Sequence, residues 1–312
     1  MLDEPRFVAP YERLLYLSTL PLFGTLPPEE LAVLARWTKE RHFRRGEVLF
    51  DEGMPVPAIH MLVSGAVEVS RGGRVFRTFR HPDAVGVFGL LARTTGGVRA
   101  VARTAVTSLE LAGDALEDIF EDRNSIFTHV LQATAKVLRD ERRQLFDSSG
   151  SGSPVPAACP ERELDLIERI LLLRRVPMFA AASLVGLGQL SRRVRELRLE
   201  AGVHMWELGE YAGSSALLVC GSVECRFEGG VRRRGAGDAI GLVDLLAKEP
   251  RSYTVVTVEP VVALVVDRDA LLDMFEDHTE IGAECLASLA RAVLDAFERR
   301  ATAANLHQLG EQ

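Results

Sequence analysis

Pro82-Asp-Ala-Val-Gly-Val-Phe-Gly-Leu-Leu-Ala92 and Gly237-Asp-Ala-Ile-Gly-Leu-Val-Asp-Leu-Leu-Ala247 are two versions of one stretch, 155 residues apart. Upstream of it, Leu20-Pro-Leu-Phe23 returns as Val176-Pro-Met-Phe179 at an offset of 156, and Gly46, Gly53, Gly65 and Glu68 return as Gly202, Gly209, Gly221 and Glu224 at that same offset. Downstream, Asp114-Ala-Leu116 and Phe120-Glu-Asp122 return as Asp269-Ala-Leu271 and Phe275-Glu-Asp277. A self-similarity with so many fixed anchors marks an internal duplication and decides the architecture before any single element is placed.

Each copy has the same internal grammar. A short helix (29–38; 183–193) leads into strands. Val48-Leu-Phe50 precedes an acidic Gly turn, and Ile59–Val63 with Ala66–Val69 flank a hairpin turn at Ser64-Gly65. In the second copy Ala216–Cys220 and Ser222–Arg226 flank Gly221, and Tyr253–Val258 and Val261–Val266 are β-branched runs of strand length. Short strands at this spacing, punctuated by Gly, predict an antiparallel roll. Asp114 and Asp269 are expected to N-cap the helices that close each roll. Those helices carry the apolar stripes Phe127, Val130, Leu131, Thr134, Leu138 and Leu286, Leu289, Val293, Phe297, read either as core or as a helix–helix interface. The expected fold is α+β: two tandem antiparallel β-rolls of jelly-roll type, each with flanking helices. Roll A is assigned to 1–146, a Gly/Ser- and Pro-rich linker to 147–161, and roll B to 162–312.

The 312 residues suffice for two such domains, and a net charge of −7 argues against a nucleic-acid surface. Only Lys39, Lys136 and Lys248 are lysines among 37 basic residues, a bias expected of a GC-rich bacterial genome. Cys159, Cys220, Cys225 and Cys285 form no CxxC pair and read as structural or incidental thiols. The seven histidines lack metal spacing, and no cofactor is expected. No signal pattern and no long apolar run is present, so no membrane partner and a cytoplasmic location are expected. Gly72-Gly73 and Gly229-Gly230 read as hairpin turns, while Arg232–Arg234 and Arg139-Asp-Glu-Arg-Arg143 read as solvated surface. No nucleophile or acid–base pair stands out, and the chain is not read as an enzyme.

The pattern Gly46-Glu47…Gly53, Gly237-Asp238…Gly241, Pro250-Arg251-Ser252 and Asp267-Arg268-Asp269 resembles the cyclic nucleotide-binding domain of the catabolite activator protein and of protein kinase A regulatory subunits. The resemblance implies a phosphate cassette. In it a Glu accepts from the ribose 2′-OH, an Arg neutralises the cyclic phosphate, and backbone N–H groups at a helix start complete the anion site. In roll B the implied residues are Gly241, Leu242, Asp244, Leu245, Pro250, Arg251 and Ser252; in roll A they are Gly86, Val87, Gly89, Gly96 and Arg99.

Both cassettes depart from that pattern. Leu242 and Val87 stand where the Glu belongs, and a 2′-OH buried without its acceptor costs roughly 1–3 kcal/mol. Gly96 stands where roll A's arginine belongs, with Arg93 and Arg99 three residues to either side. In roll B, Asp244 replaces a small residue close to the phosphate. Three roles for Arg251 are therefore open: a phosphate ligand, an internal partner of Asp244, or a solvated side chain. Residues 301–312 are too few for a helix-turn-helix, and Met1–Thr19 holds no Arg-Arg pseudosubstrate, so the effector is expected to be a separate protein. The closing helices are expected to pair, in a homodimer or as an intrachain pseudo-dimer. Two functions follow: a sensor of a cyclic or related nucleotide through roll B, or a ligand-independent interaction scaffold.

Overall fold

The computed structural model describes residues 10–93, 97–144, 159–180 and 182–310. In chain order, roll A comprises α1 (Pro10–Leu17), α2 (Pro28–Trp37), β1 (Lys39–Phe43), β2 (Val48–Phe50), β3 (Ala58–Ser64), β4 (Ala66–Arg71), β5 (Arg74–Arg80), β6 (Ala84–Val85), α3 (Val87–Leu91), β7 (Arg99–Ala102), β8 (Val106–Ala112) and α4 (Gly113–Asp122), and continues into α5 (Asn124–Gln144). Roll B comprises α6 (Leu166–Leu173), a 3-10 turn, α7 (Leu184–Arg193), β9 (Arg195–Leu199), β10 (His204–Trp206), β11 (Ser214–Cys220), β12 (Ser222–Phe227), β13 (Gly230–Gly235), β14 (Ala239–Ile240), α8 (Leu242–Ala247), β15 (Thr254–Thr257), β16 (Val261–Asp267) and α9 (Arg268–Asp277), and continues into α10 (Thr279–Gly310).

The duplication is carried into the sheets. Roll A pairs its strands in the orders β1-β8-β3-β6 and β2-β7-β4-β5; roll B repeats both as β9-β16-β11-β14 and β10-β15-β12-β13, all antiparallel. The facing sheets enclose an apolar centre, with Phe50, Leu62, Val67 and Val85 in roll A and Trp206, Leu218, Val223 and Ile240 in roll B. Gly65 and Gly221 show why the turn between the third and fourth strands needs glycine. Both have positive φ (83° and 75°), and a Cβ there would lie 2.2 Å from the carbonyl oxygens of Ala105 and Pro260.

The chain divides into two compact units, residues 1–130 with 290–312 and residues 131–289. The second half of α5 therefore belongs to the unit of roll B, and α10 beyond Leu289 to the unit of roll A. The apolar stripes of both helices are buried at Phe127, Val130, Leu131, Leu138, Leu286, Leu289 and Val293.

Three readings of the sequence need correction here. Asp114 and Asp269 lie inside the first turns of α4 and α9. The cap of α9 is Asp267, whose extended backbone lets its carboxylate accept from the Ala270 N–H at 2.8 Å, whereas α4 has no side-chain cap. Cys159 and Cys220 are a disulfide rather than separate thiols, while Cys225 and Cys285 are free and buried. Finally, Arg139 is not solvated: its side chain is 7% exposed. Most of the sequence-assigned linker (147–158) lies outside the described residues. Its last three residues run along roll B, where Arg198 donates to the carbonyls of Pro160 and Arg162.

Candidate functional site: the cassette of roll B

The cassette begins at Gly241, in the left-handed region (φ 77°) just ahead of α8. Its N–H donates to the Tyr253 hydroxyl at 2.8 Å, and a Cβ at this position would meet Arg251 Nη1 at 2.4 Å and the Trp206 ring at 3.2 Å. Glycine is thus required by both conformation and space.

Arg251 is 3% exposed. Its Nη2 donates to the Ser214 carbonyl at 2.7 Å, Nη1 approaches the Gly241 carbonyl at 3.4 Å, and the guanidinium lies 4.0 Å from the centre of the Trp206 ring. A cation on an aromatic face, with carbonyl oxygens at its edge, keeps its charge without a carboxylate. Burial nevertheless pulls its pKa below the ordinary arginine value, against the favourable charges of Asp244 and Glu210. Tyr253 packs against Phe227 and Trp206, and burial raises its hydroxyl well above the ordinary tyrosine range.

Asp244 does not pair with Arg251. Its Oδ1 accepts from Arg139 Nε at 2.9 Å, and its Oδ2 accepts from the Ser252 N–H at 3.0 Å and the Ser252 hydroxyl at 2.9 Å. Arg139 also donates through Nη2 to the Pro250 carbonyl at 2.8 Å, and one turn earlier Lys136 pairs with Glu249 at 2.7 Å. The second half of α5 is thus fastened to both ends of the cassette, within a single unit. Of the three roles open to Arg251, the internal pair with Asp244 is ruled out, because the guanidinium of Arg139 arrives at that carboxylate from α5.

The other implied residues separate by role. Leu242 borders an apolar cavity with Leu173, Met178, Leu190, Leu217, Leu264 and Leu271, a setting with no use for a carboxylate. Leu245 is fully buried. In roll A, Gly86 repeats the left-handed position (φ 91°), Val87 is buried, and a Cβ at Gly89 would meet Val56 at 2.7 Å. Gly96 lies outside the described residues. Arg99 is half-exposed on β7 and lies 3.6 Å from Asp51, and Arg93 pairs with Glu117 at 2.9 Å, so neither is turned into the cassette. Trp206, Tyr253 and Ser214 escaped sequence reading. Only Trp206 had a signal, since it repeats Phe50 at the 156-residue offset. Among the described residues, no group of three or more His, Cys, Asp or Glu is placed to hold a metal, and no helix is long and apolar enough to cross a membrane.

The β-roll with its glycine-led cassette is the architecture of the cyclic nucleotide-binding domain. The sequence pattern of the cyclic nucleotide-binding domain matches residues 40–123 and 196–278, more than half of the chain, and the chain belongs to that family. An uncharacterised NTE family protein of Mycobacterium tuberculosis is 30% identical over 129 residues, 40% of this chain and 22% of that protein. The chain thus spans less than a quarter of that relative. A CRP-like cAMP-activated global transcriptional regulator of the same organism is 27% identical over 160 residues, 49% of this chain and 70% of the regulator. Among solved structures, the regulatory domain of Toxoplasma gondii PKA with cAMP is similar at 18% identity and a TM-score of 0.35, over 88% of this chain and 96% of that one.

Proposed function

We propose that the chain is a non-catalytic regulatory protein whose rolls serve as ligand-independent interaction modules and whose output is delivered through a separate protein effector. One observation carries this reading: the two Nη groups of Arg251 and the Gly241 N–H, which would face a cyclic phosphate in roll B, are already engaged by the protein. Arg251 is held by Ser214, Gly241 and Trp206, and the Gly241 N–H is taken by Tyr253. A nucleotide would have to displace these contacts and would still lack an acceptor for its 2′-OH at Leu242, so its affinity falls by about tenfold for each 1.4 kcal/mol lost. The apolar stripes of α5 and α10 support pairing of the closing helices, within a chain or in a homodimer. A cytoplasmic site of action completes the reading and requires that the Cys159–Cys220 bond open in a reducing compartment.

The alternative, a nucleotide sensor acting through roll B alone, is favoured by two buried donors without hydrogen-bond partners, Arg251 Nε and Trp206 Nε1. Calorimetry with cyclic AMP and cyclic GMP separates the two. The scaffold gives no heat at about 100 μM of either nucleotide, a concentration far above the Kd of a tight site. A saturable isotherm with one site per chain establishes the sensor, and two equivalent sites remove both.

A further inference from the structure

We propose that Asp244 is an internal ligand of cassette B and that Arg139 is the latch residue that completes its site, so that the seating of α5 sets the state of roll B. This deepens the scaffold reading and rests on it. The Asp244 carboxylate is 2% exposed and accepts three hydrogen bonds, from Arg139 Nε and from the N–H and hydroxyl of Ser252. These three donors converge as they would on a small oxyanion, with one of them a charged guanidinium. Acceptor and donors together come from three separate places in the chain: α8 supplies the carboxylate, the loop after it supplies Ser252, and α5 supplies Arg139.

Closing the network therefore fixes α8, its following loop and α5 together. Arg139 Nη2 on the Pro250 carbonyl and Lys136 on Glu249 extend the same fastening along α5. Neither buried ion can leave alone, because each would remain uncompensated in a poorly solvated site. The device is accordingly two-state: α5 seated with the cassette shut, or α5 withdrawn with Asp244 and Arg139 both returned to water. An effector that binds α5 acts on the cassette directly, with no small molecule involved.

Hydrogen exchange on the full-length protein tests this at the amides of residues 242–252. Arg139→Met and Asp244→Ala should each raise exchange there by about tenfold or more, the scale of a lost charge-assisted hydrogen bond, while β11 and β16 stay protected. The double variant should be no worse than either single, since one coupled network is removed in each case. Acetate, a small carboxylate, should slow exchange in Asp244→Ala and leave Arg139→Met unchanged. Unaltered exchange in both single variants, or effects that simply add, would overturn the latch. Ser252→Ala removes only one donor and keeps the test open if the stronger variants fail to fold; a rise confined to the same amides supports the latch, and no rise overturns it. Nucleotide binding by the wild-type protein in calorimetry would instead remove the scaffold reading, a different result in a different measurement.

Discussion

Arg13 and Arg169, 156 residues apart, make the same contact. Each donates through Nη1 to the carbonyl of a residue ending the next helix, Arg13 to Thr38 at 2.6 Å and Arg169 to Val194 at 3.2 Å. Both carbonyls belong to C-caps, where unsatisfied acceptors and the negative end of the helix dipole favour a cation. Arg13→Met and Arg169→Met should each lower stability by about 1 kcal/mol. Urea unfolding of the two variants checks this, and equal losses would show that the duplication preserved an energetic role as well as a spacing.

Gly241→Ala should be among the most damaging small substitutions in roll B. The added methyl is placed 2.4 Å from Arg251 Nη1 on a left-handed backbone, so the guanidinium must leave Trp206 or the turn must rearrange. A loss of about 2 kcal/mol or more is expected. Thermal melting provides the measurement; a change within about 0.5 kcal/mol, the range of an ordinary surface substitution, would mean that Arg251 is free to move.

His60 gives roll A a pH dependence of known sign. Burial lowers its imidazole to about 4, opposed by the charge of Glu110 and assisted by that of Arg41. Between that value and the ordinary 6.5, the unfolded chain binds a proton that the folded chain does not. Its contribution is therefore complete above about pH 6.5 and is lost as the pH falls towards 4, by at most about 3 kcal/mol. Stability curves of wild type and His60→Gln at pH 7 and pH 4.5 should converge on acidification; parallel curves would place the pH dependence elsewhere.

The Cys159–Cys220 disulfide closes a sequence separation of 61 residues. Chain-entropy arguments give such a loop about 4 kcal/mol at most. Reductant, or Cys159→Ser, should lower the urea midpoint of roll B, and reductant should have no further effect on the variant. Insensitivity of the wild-type midpoint to reductant would show that the bond contributes nothing in solution.

Much of the fold was legible because the duplication checks itself. Val48–Phe50 is predicted as a strand and observed with the same bounds, and the helices expected at 29–38 and 183–193 are Pro28–Trp37 and Leu184–Arg193. Glycine at 65 and 221 announced hairpin turns, and both take the positive φ such turns require, a local property. The helix caps were read two residues late at α9, since several acidic residues follow one another there and only backbone geometry selects Asp267.

The sequence by itself determined the two rolls, the equivalence of their elements by repetition, and the apolar residues Leu242 and Val87 at the head of each cassette, because periodicity, turn chemistry and residue type are encoded within a few neighbours. Tertiary structure alone decided the partners of the charged residues. Arg139 reads as solvated within its own charged helix run and becomes buried only when the second half of α5 packs into the unit of roll B. The sequence leaves Arg251 open between a phosphate ligand, a partner of Asp244 and a solvated side chain, and in the fold it rests on Trp206, 45 residues away in the chain. A guanidinium pairs with whatever acceptor or aromatic face the fold brings within a few ångströms, and that distance is set by long-range packing.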